Sequence, residues 1–251
     1  MTLNEAVIAP QIELRDIARR YGQGEGTVHA LRGITLTIRK GEMVALMGPS
    51  GSGKSSLMNI LGLFDRASSG SYSLSSHDML RLSAKQQAAF RGRRIAFVFQ
   101  GIHLLPRLSA LANVELPMAY ARITPSQRRA AALTALERLG VAAIKDRYPS
   151  QISGGQAQRV AIARAIAPGP DVLLADEPTG ALDRKSGELV LGAFQALHAE
   201  LGVTIIIVTH DPHVAQHAER IISLEDGEIV GDNPVADRLL VKDSSLSGGL
   251  S

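Results

Sequence analysis

The chain has 251 residues, enough to bury a full core as one large domain or two small ones. With 45% hydrophobic residues, 20% charged residues and a net charge of only +3, it reads as globular, with no basic excess that would argue for nucleic acid. The absence of cysteine excludes disulfides and thiolate metal sites, and no apolar run approaches the ~18–20 residues needed to span a bilayer.

Residues 1–10 read as a loose terminus without the basic and apolar segments of a signal peptide. Ile12, Leu14 and Ile17 suggest a strand whose alternation is interrupted once, and Ile34-Thr35-Leu36-Thr37-Ile38 alternates as a half-buried antiparallel strand should. Between them lies the loop Tyr21–Gly26, with four glycine or glutamine positions and one aromatic that could pack or stack on a flat base. Met43-Val44-Ala45-Leu46-Met47 is a short continuous apolar run, the pattern of a buried strand, and Ser56–Leu61 can continue as a helix. Ser68-Ser69-Gly70-Ser71 reads as a turn, and Ile95–Phe99 as another buried strand ending at Gln100. From about 101 to 150 the chain becomes Ala-rich with Arg, is punctuated by Pro106, Pro117, Pro125 and Pro149, and holds an amphipathic helix over Gln127–Leu139. This stretch reads as a helical insertion into an α/β core. The basic clusters Arg91-Arg93-Arg94 and Arg128-Arg129 are expected on solvated faces. A helix over Ala157–Ala167, N-capped by Ser153 and stopped by Pro168, precedes the buried strand Val172–Ala175. A helix over Ser186–Leu201 then leads to the β-branched strand Thr204–Thr209, and Ile221–Leu224 with Glu228–Val230 read as a hairpin through Asp226-Gly227. The Ser/Gly-rich tail from Asp243 is expected to fray.

The chemistry centres on Gly48-Pro49-Ser50-Gly51-Ser52-Gly53-Lys54-Ser55, which fits the glycine, four residues, Gly-Lys-Ser pattern of a phosphate-binding loop between a strand and a helix. Glycines let successive N–H groups point at a phosphate, and the helix N-terminus adds positive potential there. Lys54 would reach the β- and γ-phosphates and Ser55 would hold Mg²⁺. Asp176 and Glu177 end a buried strand downstream, where Asp176 would bind Mg²⁺ and Glu177 would accept a proton from an attacking water. Gln100 and His210 also follow strands, and in open parallel sheets ligands bind at that edge.

Ile152-Ser153-Gly154-Gly155-Gln156 with the following Arg159–Ala165 resembles the signature of the ABC ATPases. Leu173–Asp183 resembles that family's Walker B segment and D-loop. Gln100 matches its Q-loop, His210 its switch histidine and Tyr21 its adenine-stacking aromatic, all in family order. Val28–Gly33, Met58–Gly62 and Phe97–Gln100 with Leu104-Leu105-Pro106 resemble the lipoprotein-release and macrolide-export branch. Ile152 stands where leucine is usual, Ser56 where threonine is usual, and Ala112 before Asn113-Val114 where the branch commonly has glutamate.

The resemblance implies an α/β P-loop NTPase (RecA-like) core with an antiparallel β subdomain and an inserted α-helical subdomain. It covers one domain over 11–232, with the insertion at about 101–157 and terminal extensions at 1–10 and 233–251. ATP would contact Tyr21, Gly48 through Lys54, Ser55 and Ser56. Mg²⁺ would be held by Ser55, Gln100 and Asp176, and the catalytic residues would be Glu177, His210, Gln100 and Lys54. Ser153, Gly154, Gly155, Gln156 and Asp183 would serve the ATP of a second subunit in an ATP-dependent homodimer. Membrane permease subunits on separate chains would take up the stroke at the cytoplasmic face of the membrane, with no nucleic-acid partner expected. The rival class is a soluble ABC ATPase acting on nucleic acid or ribosomes. No sustained heptads separate Lys54 from Ser153, as chromosome-maintenance ATPases would require, and the chain holds one cassette where translation-type proteins hold two. The guanine-reading Asn-Lys-x-Asp is absent, and intact Lys54, Glu177 and His210 speak against an idle subunit.

Overall fold

A computed structural model describes residues 10–22 and 24–241; the tail from Asp243 lies outside the described residues. In chain order the first half runs β1 (Pro10–Tyr21), β2 (Val28–Arg39), β3 (Met43–Met47), α1 (Lys54–Leu61), β4 (Ser69–Leu74), β5 (His77–Asp78), α2 (Ala84–Arg94), β6 (Ile95–Val98) and α3 (Ala110–Tyr120). The second half runs α4 (Pro125–Arg138), α5 (Gly154–Ile166), β7 (Val172–Asp176), α6 (Arg184–Leu201), β8 (Thr204–Val208), α7 (Pro212–Ala215), β9 (Arg220–Glu225) and β10 (Glu228–Pro234).

Strands β1, β2, β4 and β5 form an antiparallel sheet in the order β2-β1-β4-β5. The break in alternation between Leu14 and Ile17 is a bulge, with Asp16 at φ 51°; it returns Ile17 to the face of Ile12 and Leu14, and all three are buried. The turn expected at Ser68–Ser71 is instead the start of β4. Gly70 makes this possible: at φ 97°, with any Cβ falling 2.4 Å from the Asp16 carbonyl, it lets β4 run against the bulge. Helix α2 was not legible, because Gln87 is its one buried residue; its Ser83–Gln86 capping box was the available signal. Pro117, expected to break structure, lies inside α3, whereas Pro125 opens α4 at its first turn. Helix α5 begins at Gly154, earlier than the apolar pattern suggested, because Ser153 and Gln156 cap it reciprocally at 3.2 and 3.0 Å.

The second sheet has the order β10-β9-β3-β8-β7-β6, parallel except for the β9–β10 hairpin. Its central strands are apolar without interruption because both faces are covered. Met43, Ala45, Leu173, Ala175, Ile205 and Ile207 point into a core shared with α3, α4, α5 and α6. Their alternates Val44, Leu46, Val172, Leu174, Ile206 and Val208 point into a second core under α1 and the antiparallel sheet. Beyond β10, Val241 packs on Gly192 and its N–H donates to Gln195 Oε1 at 3.0 Å, holding residues 235–241 against α6.

Candidate active site

Strands β3, β8, β7 and β6 are parallel neighbours, so their carboxyl ends share one edge. Along that edge follow the loop Gly48–Ser55, then Thr209-His210, then Asp176-Glu177, then Gln100. Backbone bonds lock the ends together: Thr209 N–H donates to Leu46 O at 3.1 Å and Glu177 N–H to Val208 O at 2.9 Å.

Helix α1 starts at Lys54 with Gly53 as its N-cap, leaving its first N–H groups without helical acceptors. Among the described residues, the N–H groups of Gly51, Gly53, Lys54 and Ser55 have no hydrogen-bond acceptor. Gly48 is held at φ 151°, and a Cβ there would fall 2.1 Å from Leu224 O and 2.7 Å from Ser52 Oγ, so only glycine fits. Lys54 Nζ donates to Gly48 O at 2.7 Å and Pro49 O at 2.8 Å, which lays the ammonium over the loop. A nest of free N–H donors with one ammonium, at a helix N-terminus, fits a polyphosphate. Ser52 is buried with its hydroxyl unpartnered, and Pro49, Ser50 and Ser56 complete the loop and the first turn.

Glu177 sits in the left-handed region at φ 43°, an uncommon conformation for a non-glycine residue. Its carboxylate accepts from Thr209 Oγ1 at 3.2 Å, from His210 N–H at 3.0 Å, and lies 2.6 Å from His210 Nδ1. His210 is mostly exposed while Glu177 is not, so the pair faces outward from a fixed carboxylate. Burial, together with the Glu177 charge, raises the Asp176 pKa, and Lys54 pulls it the other way. An oxygen donor set of Ser55, Gln100 and Asp176 suits Mg²⁺, whose charge would offset the burial and repulsion at Asp176. Gln100 Nε2 packs 3.0 Å from where a Gly180 Cβ would stand, so its amide rests on the turn that follows Glu177.

Two positioning residues were missed in the sequence. Thr209, itself buried, holds Glu177 and accepts from Asp211 N–H at 3.1 Å; a hydroxyl closing an apolar strand just before His210 was a usable signal. Gln158, also buried, donates to Pro178 O at 3.0 Å and Phe99 O at 3.4 Å, joining the loops of Glu177 and Gln100. Nothing in the local pattern of α5 distinguishes it.

Tyr21 ends β1 with its hydroxyl 2.7 Å from Asp65 Oδ2, and the Arg19 guanidinium stands 4.3 Å over one face of the ring. Arg19 in turn grips Asp65 through Nε and Nη2, both at 2.8 Å. Ser153 caps α5, and Gly154, Gly155 and Gln156 open it, four residues and less before Gln158. A Cβ on Gly154 would meet Leu182 at 3.7 Å and one on Gly155 would meet Ser186 Oγ at 2.7 Å, so α5 opens against the start of α6. Asp183 caps α6, accepting from Ser186 N–H at 2.9 Å and Ser186 Oγ at 2.7 Å.

The model of the family described as ABC transporter matches residues 31–180. The chain belongs to the ABC transporter family. It is 55% identical over 221 residues to "Macrolide export ATP-binding/permease protein MacB" of Rhodopseudomonas palustris, covering 88% of this chain and 34% of that protein. It is 52% identical to "Pyoverdine export ATP-binding/permease protein PvdT" of Pseudomonas aeruginosa, over 91% of this chain and 34% of that one. The chain thus spans about a third of the length of the curated relatives it matches. Among solved structures, the dimeric ATP-binding cassette MJ0796 in a post-hydrolysis state bound to ADP and Pi is 40% identical with a TM-score of 0.80. That match covers 89% of this chain and 98% of the other. The two cores and two sheets described above are therefore those of an ABC ATPase cassette of the macrolide-export branch. Among the described residues, no helix is long and apolar enough to cross a membrane.

Proposed function

We propose that this cassette binds and hydrolyses ATP with Mg²⁺, pairs with a second copy around the nucleotide, and drives integral membrane permease subunits of an export complex from the cytoplasmic face. The observation that carries the reading is the common edge of four parallel strands, where the phosphate loop, Gln100, Asp176-Glu177 and His210 converge. In this reading one domain spans 11–232, with its helical insertion at about 101–157, and no nucleic acid takes part.

The N–H groups of the loop and Lys54 bind the phosphates, and Tyr21 receives adenine on the face opposite Arg19. Ser55, Gln100 and Asp176 hold Mg²⁺, which when bound offsets the charge gathering on the phosphoryl oxygens. Glu177 takes the proton of the attacking water; Thr209 and the His210 N–H keep its carboxylate aimed. His210 closes over the γ-phosphate side of the site. Ser153, Gly154, Gly155, Gln156 and Asp183 face the nucleotide of the second subunit, where the α5 N-terminus supplies anion-binding N–H groups.

Steady-state phosphate release by the purified chain tests the enzymatic part. Glu177→Gln should retain ATP binding and lose about 10²–10⁴-fold in turnover. Near-normal turnover in that variant removes Glu177 from the role. Co-purification of the chain with membrane subunits tests the permease part separately.

A further inference from the structure

Outside the nucleotide site, one cluster of side chains has no part in the chemistry above. Helix α7 and the turn after it place His213 and His217 one helical turn apart, and α6 brings Glu188 between them. Glu188 Oε1 lies 2.7 Å from His213 Nε2, and Glu188 Oε2 lies 3.5 Å from His217 Nε2. One ligand atom from each residue lies within 4.8 Å of the others.

The proton positions sharpen this geometry. His217 Nδ1 stands 2.9 Å from the His213 carbonyl oxygen, which can only accept, so Nδ1 carries the proton. In the neutral ring the Nε2 lone pair then faces the Glu188 carboxylate, an acceptor opposite an acceptor, at a distance too long for a good hydrogen bond. His217 is 2% exposed, so its ring is held in place by its surroundings. A backbone carbonyl on Nδ1 with Nε2 turned inward is the arrangement that orients a metal-binding histidine. We propose that Glu188, His213 and His217 form a binding site for one late first-row divalent cation of the zinc class.

Two imidazoles and a carboxylate are the borderline N/O donor set such ions prefer. With bonds of about 2.1 Å, tetrahedral ligand atoms stand roughly 3.4 Å apart. His217 Nε2 already stands at that separation from Glu188 Oε2, while His213 Nε2 now contacts the other oxygen, Oε1, and reaches it by a side-chain rotation that brings one oxygen to face both rings. A cleft of about 550 Å³, lined by Glu188 and His213 together with Asp183, Arg184 and Asp211, gives solvent a route to the fourth position. The bound ion clamps the segment following His210 to the helix capped by Asp183.

The test uses the full chain, untagged and stripped with chelator, titrated with ZnCl₂ by calorimetry without nucleotide or Mg²⁺. One ion per chain should bind, and a 100-fold excess of Zn²⁺ over the Kd should raise Tm by about 5–10 °C. His213→Gln and Glu188→Gln, both at partly exposed positions, should each weaken binding at least about 10–100-fold. His210→Gln, which alters the separate His210–Glu177 pair, should leave the affinity unchanged. Co²⁺ in place of Zn²⁺ should show the visible absorption of a four-coordinate site in the wild type and lose it in His213→Gln. Absence of stoichiometric binding, or binding that survives both substitutions or moves with His210→Gln, overturns the proposal and leaves these residues as plain His–Glu ion pairs.

Discussion

At the scale of single residues, the proposed adenine end of the site is a bonded set of three. Tyr21 is held by Asp65 through its hydroxyl and by Arg19 over its ring, so the ring is oriented before any base arrives. Tyr21→Ala removes the platform and should weaken ATP binding by about 1–3 kcal/mol, the usual worth of one base–aromatic stack. Tyr21→Phe keeps the ring and should bind ATP nearly as the wild type, as titration with a fluorescent ATP analogue would read; equal losses from both changes point to the phenol instead. Asp65 adds a pH dependence. Burial alone would push its carboxyl up, but hydrogen bonds from Tyr21, the Arg66 N–H and Arg19, with the Arg19 charge, bring it below its ordinary 3.8. The folded chain therefore binds this proton more weakly than the unfolded chain. The stabilisation is complete above the unfolded value near 3.8 and is lost as pH falls below it toward the folded value. Urea midpoints of wild type and Asp65→Asn should differ at about pH 6 and converge toward about pH 3. A constant gap across that range would place the effect of the substitution in packing instead.

At the scale of elements, what was legible depended on how local the cause of each element is. The apolar runs at Met43–Met47, Val172–Ala175 and Thr204–Val208 are buried on both faces, so their hydrophobicity announces them without any partner being known. The phosphate loop, the signature cap at Ser153 and the Asp183 cap are likewise short-range patterns. Strand β4 and helix α2 are held from elsewhere: β4 by its fit to the bulge at Asp16, α2 chiefly by Gln87, which donates to Met79 O at 2.7 Å. The entry to α3 is a similar case. Asn113 is fully buried; its Oδ1 accepts from Leu105 N–H at 2.7 Å while Nδ2 serves the carbonyls of Leu105, Leu108 and Ser109 at 3.0–3.1 Å. This one amide replaces regular structure over residues 105–109, next to Gln100 and ahead of the helical segment. Asn113→Ala takes the partner from the Leu105 N–H and the Leu108 carbonyl, while the Leu105 and Ser109 carbonyls keep the Leu108 and Asn113 N–H groups, and should cost about 1–3 kcal/mol in urea unfolding. A loss under about 0.5 kcal/mol would mean that water takes over the bonds.

For the whole molecule, the strand order 3-8-7-6 depends on pairings between segments as distant as Met43 and Ile205, which no local pattern encodes; the order becomes visible only in the sheet. That order gathers Lys54, His210, Glu177 and Gln100 on one edge, while Gly154 and Gly155 at the start of α5 pack against Leu182 and Ser186. In the proposed reading the chain offers two anion-binding helix N-termini, those of α1 and α5, although Gly48–Ser55 already supplies the principal phosphate site. A two-fold axis would use both: in the proposed dimer each nucleotide would receive the phosphate loop of one copy and the α5 terminus of the other, and two equivalent sites would close together. Two helix termini and Lys54 would then share the phosphate charge, and loss of the γ-phosphate would remove what bridges the halves. Glu177→Gln, which binds without hydrolysing, should run as a dimer by light scattering with ATP and Mg²⁺ and as a monomer with ADP. Ser153→Arg on that background puts a bulky cation where the reciprocal Ser153–Gln156 cap opens α5, and alters no residue of the phosphate loop. It should therefore abolish the dimer while ATP still titrates normally into the monomer. If Glu177→Gln stays monomeric at saturating ATP and high protein concentration, the isolated cassette does not close on nucleotide alone, and the prediction for this chain is wrong.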